Sequence, residues 1–132
     1  MAQDDLVIDP WGSAQSTDYD RIIEQFGLTS MTGVSLSNPS KLHRRGIVFA
    51  HRDVDQVVEA QRTGSPFGVL TGLMPSGQMH LGHSMVVEQA RWFQENGGDV
   101  TIAVADLESQ ATRGVSLSKG REVALREYIA HY

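Results

Sequence analysis

Two short apolar runs with a helical stretch between them constrain this chain more than any other feature. The first, Phe67-Gly68-Val69-Leu70-Thr71-Gly72-Leu73, follows Pro66 and has the length of a strand. Pro75 and Gly77 then interrupt the chain, and Val86, Val87, Ala90 and Phe93 recur at helical spacing until Gly97-Gly98. The second run, Val100-Thr101-Ile102-Ala103-Val104-Ala105, is short and β-branched and reads as a buried strand. A last helix is expected from Leu117 to the carboxyl end, carrying Val123, Leu125 and Ile129. Strand, helix, strand, helix makes a βαβα unit with parallel strands and a right-handed crossover. Parallel sheets are covered on both faces and need more strands than two, so further chain after Tyr132, or a partner, is expected to complete this one.

Upstream, residues 1–16 read as an irregular lead-in broken by Pro10, Gly12, Ser13 and Ser16, with Trp11 as an anchor. Asp18 suits the N-cap of a short helix bearing Ile22, Ile23 and Phe26 and stopping at Gly27. Thr29 to Ser40 has loop composition, Ile47 to Ala50 is a brief apolar run, and a second helix is predicted from Asp53, with Val54, Val57 and Val58, to Gly64. The chain thus divides into an extension, residues 1–65, and an α/β part, residues 66–132.

With 132 residues there is room for one domain of ordinary size, roughly 100–200 residues. The absence of cysteine excludes disulfides, thiolate metal sites and a cysteine nucleophile together. No apolar run approaches the ~20 residues that span a bilayer. Asp4, Asp5 and Asp9 precede the first basic residue, Arg21, the reverse of a secretory or transit segment, so a cytoplasmic location is expected. A formal charge of −5 argues against indiscriminate nucleic-acid binding. The cluster Lys41, His43, Arg44, Arg45, His51 and Arg52 is either a local phosphate or RNA contact or a solvated charged stretch.

The first strand leads into Pro75-Ser76-Gly77-Gln78-Met79-His80-Leu81-Gly82-His83, which opens the following helix. Ligands of open α/β sheets bind beyond the carboxyl ends of the strands, where a helix amino terminus offers N–H groups and a positive dipole end to an anion. Pro75 and Gly77 permit the turn, Gly82 admits a ligand close to the backbone, and His80 and His83, three apart, share one face. Two imidazoles there point to nucleotide chemistry. A metal site is not expected, because zinc needs at least three protein ligands and no third is near.

This segment resembles the HIGH signature of the class I aminoacyl-tRNA synthetases, written here His80-Leu81-Gly82-His83 and preceded by the Pro75-Ser76-Gly77 of the tyrosine and tryptophan enzymes. Asp9-Pro10-Trp11, Asp18-Tyr19-Asp20, Phe26-Gly27 and Arg44-Arg45-Gly46-Ile47-Val48-Phe49-Ala50-His51-Arg52-Asp53 look like the lead-in of the archaeal and eukaryotic tryptophanyl-tRNA synthetases. The resemblance implies the first βαβα part of a Rossmann-like, HUP-type catalytic domain. It implies ATP, taken with Mg2+, activating tryptophan to an aminoacyl adenylate that is passed to tRNA(Trp), in a homodimer without membrane attachment. By the same analogy His80 and His83 are catalytic, and Pro75, Ser76, Gly77, Gln78, Met79, Leu81 and Gly82 join them around ATP. Leu70, Gly72 and Glu108 would line the amino-acid pocket, Glu108 as a buried acceptor for an indole or amino N–H.

The chain departs from the family's pattern at Leu70, where related enzymes place a tyrosine, and at Ala103, where the eukaryotic tryptophan enzymes have glutamine. The family's second signature, Lys-Met-Ser-Lys-Ser, is missing; Leu117-Ser118-Lys119-Gly120 comes too early for it and reads as a helix start. The anticodon-binding domain is missing too, so the chain alone is not expected to catalyse the overall reaction. A tyrosyl-tRNA synthetase, another HxGH nucleotidyltransferase, and a non-catalytic ATP- or tRNA-binding paralogue remain as alternatives.

Overall fold

The computed structural model describes residues 18–132. Asp9, Pro10 and Trp11 of the lead-in lie outside the described residues. The chain divides into two compact units, one ending at Glu59 and one spanning Ala60–Tyr132.

In the first unit, Asp18 caps helix α1 (Tyr19–Phe26) by accepting the Arg21 N–H at 3.0 Å, and Gly27 ends it in the left-handed conformation at φ 57°. Ile22 is its buried residue. The stretch expected as loop begins with strand β1 (Thr29–Ser30), which pairs antiparallel with β2 (Ala50–His51), so the apolar run Ile47 to Ala50 gives the ladder only its last residue. Lys41–Arg44 forms a helical turn, α2, that charge patterning did not reveal; buried Leu42 anchors it and Ser40 caps it. Helix α3 (Val54–Thr63) follows Asp53, which takes a positive φ of 57°.

The second unit carries the parallel pair β3 (Phe67–Leu73) and β4 (Gly98–Val104), in register from Phe67 opposite Gly98 to Leu73 opposite Val104. Helix α4 (Leu81–Glu95) connects them and packs on both, burying Ala90 and Trp92. β4 is not continuously buried. Val100, Ile102 and Val104 are half-buried, whereas Thr101 and Ala103 are exposed, because among the described residues α4 covers one face of the pair. Leu70 on the open face is 75% exposed.

Past β4 comes helix α5 (Asp106–Arg113), which was not expected and is closed by Gly114 at φ 67°. Ser116 caps α6 (Leu117–Val123), so Leu117-Ser118-Lys119 is indeed a helix start. The helix then widens into a π turn (Ala124–Tyr128), with the Ile129 N–H reaching back to the Ala124 carbonyl, and ends in a 3-10 turn (Ile129–His131). Tyr128, Pro75 and Ser109 are the large side chains most fully enclosed. No helix among the described residues is long and apolar enough to cross a membrane.

Candidate functional site

Helix α4 starts at Leu81 because His80 leaves helical geometry, at φ −139° and ψ 171°, and caps the helix with its ring. The His80 Nδ1 accepts the Gly82 N–H at 3.2 Å, and the His80 N–H donates to the His83 Nδ1 at 3.2 Å. This reciprocal arrangement is a capping box built from two histidines, without the usual Ser, Thr, Asp or Asn. The His83 N–H donates to the His80 carbonyl at 2.9 Å. The end of α4 therefore satisfies two N–H groups that sequence reasoning had left for an anion. What it offers instead are side-chain donors. Each Nδ1 acts as acceptor, so each ring carries its proton on Nε2.

The two rings lie 3.9 Å apart, tilted by 42°. Burial, and then the neighbouring His80, hold the His83 imidazole below its ordinary range, with a backbone contact to His80 opposing. The positive end of the helix dipole also disfavours a cation there. Near neutral pH the His83 ring is thus an uncharged N–H donor.

Gly82 serves the cap. A Cβ at that position would stand 3.0 Å from the His80 Cε1 and 3.1 Å from its Nδ1, so the glycine makes room for the capping ring, where the sequence reading had it admit a ligand. Neither glycine has a positive φ, but Gly77 contrasts with Gly82 in that an added Cβ would meet nothing within 4 Å. The turn does not require glycine there, and the space above residue 77 stays open.

The loop before α4 is fastened from behind. Ser109, fully buried on α5, donates its hydroxyl to the Pro75 carbonyl at 3.0 Å. Thr112, one turn on, donates to the Glu108 carbonyl at 2.8 Å and rests its hydroxyl against the Met74 sulfur at 3.2 Å, and the Ser76 N–H closes a tight turn onto the Met74 carbonyl at 2.8 Å. Tyr128, 1% exposed, stands under the same loop, its phenol oxygen near enough to the Gly77 and Ser76 N–H groups to feel them and its ring edge-on to His83 at 5.7 Å. Burial raises the Tyr128 phenol above its ordinary range, and the two N–H groups moderate the rise. Sequence reasoning missed this tyrosine. The available signal was the spacing of Gly120, Ala124 and Tyr128 by fours, all three buried.

The expected site residues fall around separate cavities. Pro75, Ser76, Gly77 and Gln78 line one of about 370 Å³ against Lys119, Glu122 and Arg126. The two cations there already share Glu122, at 3.1 and 3.3 Å. Met79, His80 and Leu81 line a second of about 430 Å³ with Glu88 and Arg91. Leu70, Gly72 and Glu108 do meet, with Ala103, around a third of about 360 Å³ at the carboxyl end of the sheet.

Two of these three residues also serve the local structure. A Cβ on Gly72 would lie 2.9 Å from the Ala103 carbonyl, so the sheet itself requires the glycine. Glu108 is exposed and not a buried acceptor; it sits in the first turn of α5, where the helix dipole suits a carboxylate. Among the described residues no group of three or more His, Cys, Asp or Glu is placed to hold a metal. In the basic stretch of the first unit, Arg44 donates to the Pro39 carbonyl and Arg52 to the Phe26 carbonyl at 2.6 Å, so part of it holds backbone.

Residues 62–131 match the family model of the class I tRNA synthetases for tryptophan and tyrosine. Among curated proteins, the chain is 44% identical over 127 residues to the tryptophan–tRNA ligase of Methanosarcina acetivorans, a match covering 95% of this chain and 29% of that protein. It is 42% identical over 130 residues to the tryptophan–tRNA ligase of Aeropyrum pernix, covering 94% of this chain and 35% of the relative. The chain thus spans about a third of the length of these relatives. The solved tryptophanyl-tRNA synthetase of Plasmodium falciparum superposes with a TM-score of 0.74 at 27% identity, over 82% of this chain and 32% of that one. The enzyme of Encephalitozoon cuniculi, solved bound to tryptophan, superposes with a TM-score of 0.70 at 27% identity, over 83% and 33%.

Proposed function

This chain belongs to the class I tRNA synthetases for tryptophan and tyrosine, and from that premise we propose that it carries the ATP-facing part of a tryptophan–tRNA ligase site. In that reaction the tryptophan carboxylate oxygen attacks the α-phosphorus of ATP. A P–O bond forms, the bond to pyrophosphate breaks, and the resulting adenylate passes its acyl group to the 3′ end of tRNA(Trp). No covalent enzyme intermediate is needed, so the chain's contribution is positioning and the stabilisation of developing phosphate charge.

The observation that carries this reading is the histidine capping box, which fixes both imidazoles as Nε2–H donors at the amino end of a 15-residue helix beyond a parallel strand. His80 and His83 would donate to phosphate oxygens in the transition state. The loop Pro75, Ser76, Gly77, Gln78 and Met79 would wrap the nucleotide with Leu81, and the open space over Gly77 gives phosphate a close approach. Gly82 would act indirectly, by sparing the cap. Leu70, Gly72 and Glu108 would bound the amino-acid pocket, where an exposed carboxylate contributes little until substrate closes over it. ATP would enter as its Mg2+ complex, so the metal arrives with the substrate.

Within this reading, residues 1–65 are an extension and residues 66–132 the first half of the catalytic domain, acting in the cytoplasm and in a homodimer. Tryptophan is favoured over tyrosine because the curated relatives above, matched along nearly the whole chain, carry the tryptophan name.

The test is tryptophan-dependent ATP–pyrophosphate exchange, with tyrosine as control, on this chain and on the longest product of its reading frame. Exchange with tryptophan alone supports the proposal. Exchange with tyrosine alone moves it to the tyrosine enzymes. Binding of ATP without exchange by either protein would point to a non-catalytic binding module.

A further inference from the structure

The chain's last helix ends in an unusual way, and the irregularity falls where the signature loop needs support. From Ala124 to Tyr128 the backbone makes a π turn, closed by the Ile129 N–H on the Ala124 carbonyl. Such turns are rare, and they insert one extra residue into the helical repeat, which turns the following side chains by about 100°. Tyr128, the last residue of the turn, is 1% exposed. Its ring meets His83 edge-on at 5.7 Å, an attractive geometry for two aromatic groups. Its hydroxyl lies close enough to the Gly77 and Ser76 N–H groups to feel their dipoles, while the Ser76 N–H itself donates to the Met74 carbonyl.

We propose that Tyr128 is a positioning residue of the site, joining the signature loop at Gly77 to the imidazole of His83 so that the two keep a fixed mutual geometry. One side chain thereby touches both halves of the apparatus, the loop before α4 and the second ring of its capping box. Ser109 and Thr112 fasten only the residues upstream, Pro75 and Met74. Among these three supports, Tyr128 alone reaches a histidine. Phosphoryl chemistry that depends on placement rather than on covalent catalysis is sensitive to small displacements of its donors. This role rests on the proposed function for its catalytic consequence, but the contacts themselves belong to the chain.

Two substitutions separate the two contacts. Tyr128→Phe keeps the ring beside His83 and removes the hydroxyl beneath the loop; Tyr128→Leu removes both. On this chain, amide and ring-proton NMR is expected to show the Gly77 and Ser76 amides shifted and exchanging faster in Tyr128→Phe, with the His83 ring protons unmoved. In Tyr128→Leu the His83 ring protons should move as well, through loss of the ring current. In the longest product of the reading frame, Tyr128→Phe is expected to lower the kcat of pyrophosphate exchange about tenfold and to leave the KM for tryptophan unchanged. Tyr128→Phe with wild-type amide signals and wild-type kcat would overturn the proposal, as would a loss confined to the KM for tryptophan. If the unsubstituted protein exchanges with no amino acid, the functional reading fails, while the amide and ring signals still decide whether Tyr128 holds the loop to His83.

Discussion

The hydroxyl of Ser109 donates to the carbonyl of Pro75 over 3.0 Å, joining residues 34 apart at a point closed to solvent. That bond ties α5 to the loop that opens α4. Replacing Ser109 with alanine leaves the Pro75 carbonyl without its side-chain donor, which costs on the order of 1–3 kcal/mol. The expected result is a lower denaturation midpoint with an unchanged m-value. An alanine variant as stable as the parent would mean that the bond contributes nothing.

A methyl on Gly82 and removal of the His80 ring attack the same cap. Gly82→Ala presses on His80 at 3.0 Å, and His80→Ala deletes the acceptor of the Gly82 N–H. Loss of an N-cap is worth about 1 kcal/mol. Each single variant should lose about that much, and the double variant little more, because the second change has no cap left to break. Full additivity in chemical denaturation would separate the glycine from the histidine.

Gly72 and Gly77 are predicted to behave oppositely. A Cβ at Gly72 meets the Ala103 carbonyl at 2.9 Å, and such overpacking costs about 1–3 kcal/mol. A Cβ at Gly77 meets no protein atom within 4 Å, so Gly77→Ala should fold as well as the parent. If the nucleotide approaches that backbone, Gly77→Ala instead raises the KM for ATP severalfold. Thermal melts of both variants, with exchange kinetics on the second, check the contrast; an unstable Gly77→Ala with normal ATP kinetics would reverse it.

Acid should loosen both units. Burial holds His43 and His83 below the ordinary histidine value of 6.5, and each Nδ1 accepts a backbone N–H, from Ser40 at 3.2 Å and from His80 at 3.2 Å. The unfolded chain therefore binds the proton first. Stability from these groups is complete above about pH 6.5 and declines as pH falls from there through the depressed folded values. Tm should be level on the alkaline side and fall on the acid side, with a shallower fall in His43→Gln and His83→Gln. A Tm that rises on acidification would contradict this assignment.

Elements with conventional punctuation were legible in the sequence. Asp18 and Gly27 bracket α1, Gly64 follows α3, and the two apolar runs became the parallel pair. The signature helix was placed from its surroundings, and Leu70, Gly72 and Glu108 do share a cavity. What escaped depended on partners far along the chain or on unusual caps. Histidine does not ordinarily signal a helix start, so the Ser40–His43 and His80–His83 boxes were invisible, and with the first of them went α2. The hold of Tyr128 and Ser109 on the loop crosses the interval between distant elements, which no periodicity encodes. The burial expected of Val100 to Ala105 was overstated because composition cannot count the layers that cover a sheet.

The neutrality of the His83 imidazole bears on ionic strength. A cradle of lysines draws an anion from a distance and weakens as salt screens it, over about 8 Å at physiological concentration. N–H dipoles on uncharged rings act at contact, within that screening length. On a chain of formal charge −5, a nucleotide gripped in this way is not steered in by long-range attraction. Its capture would be slow to begin and nearly indifferent to salt once made.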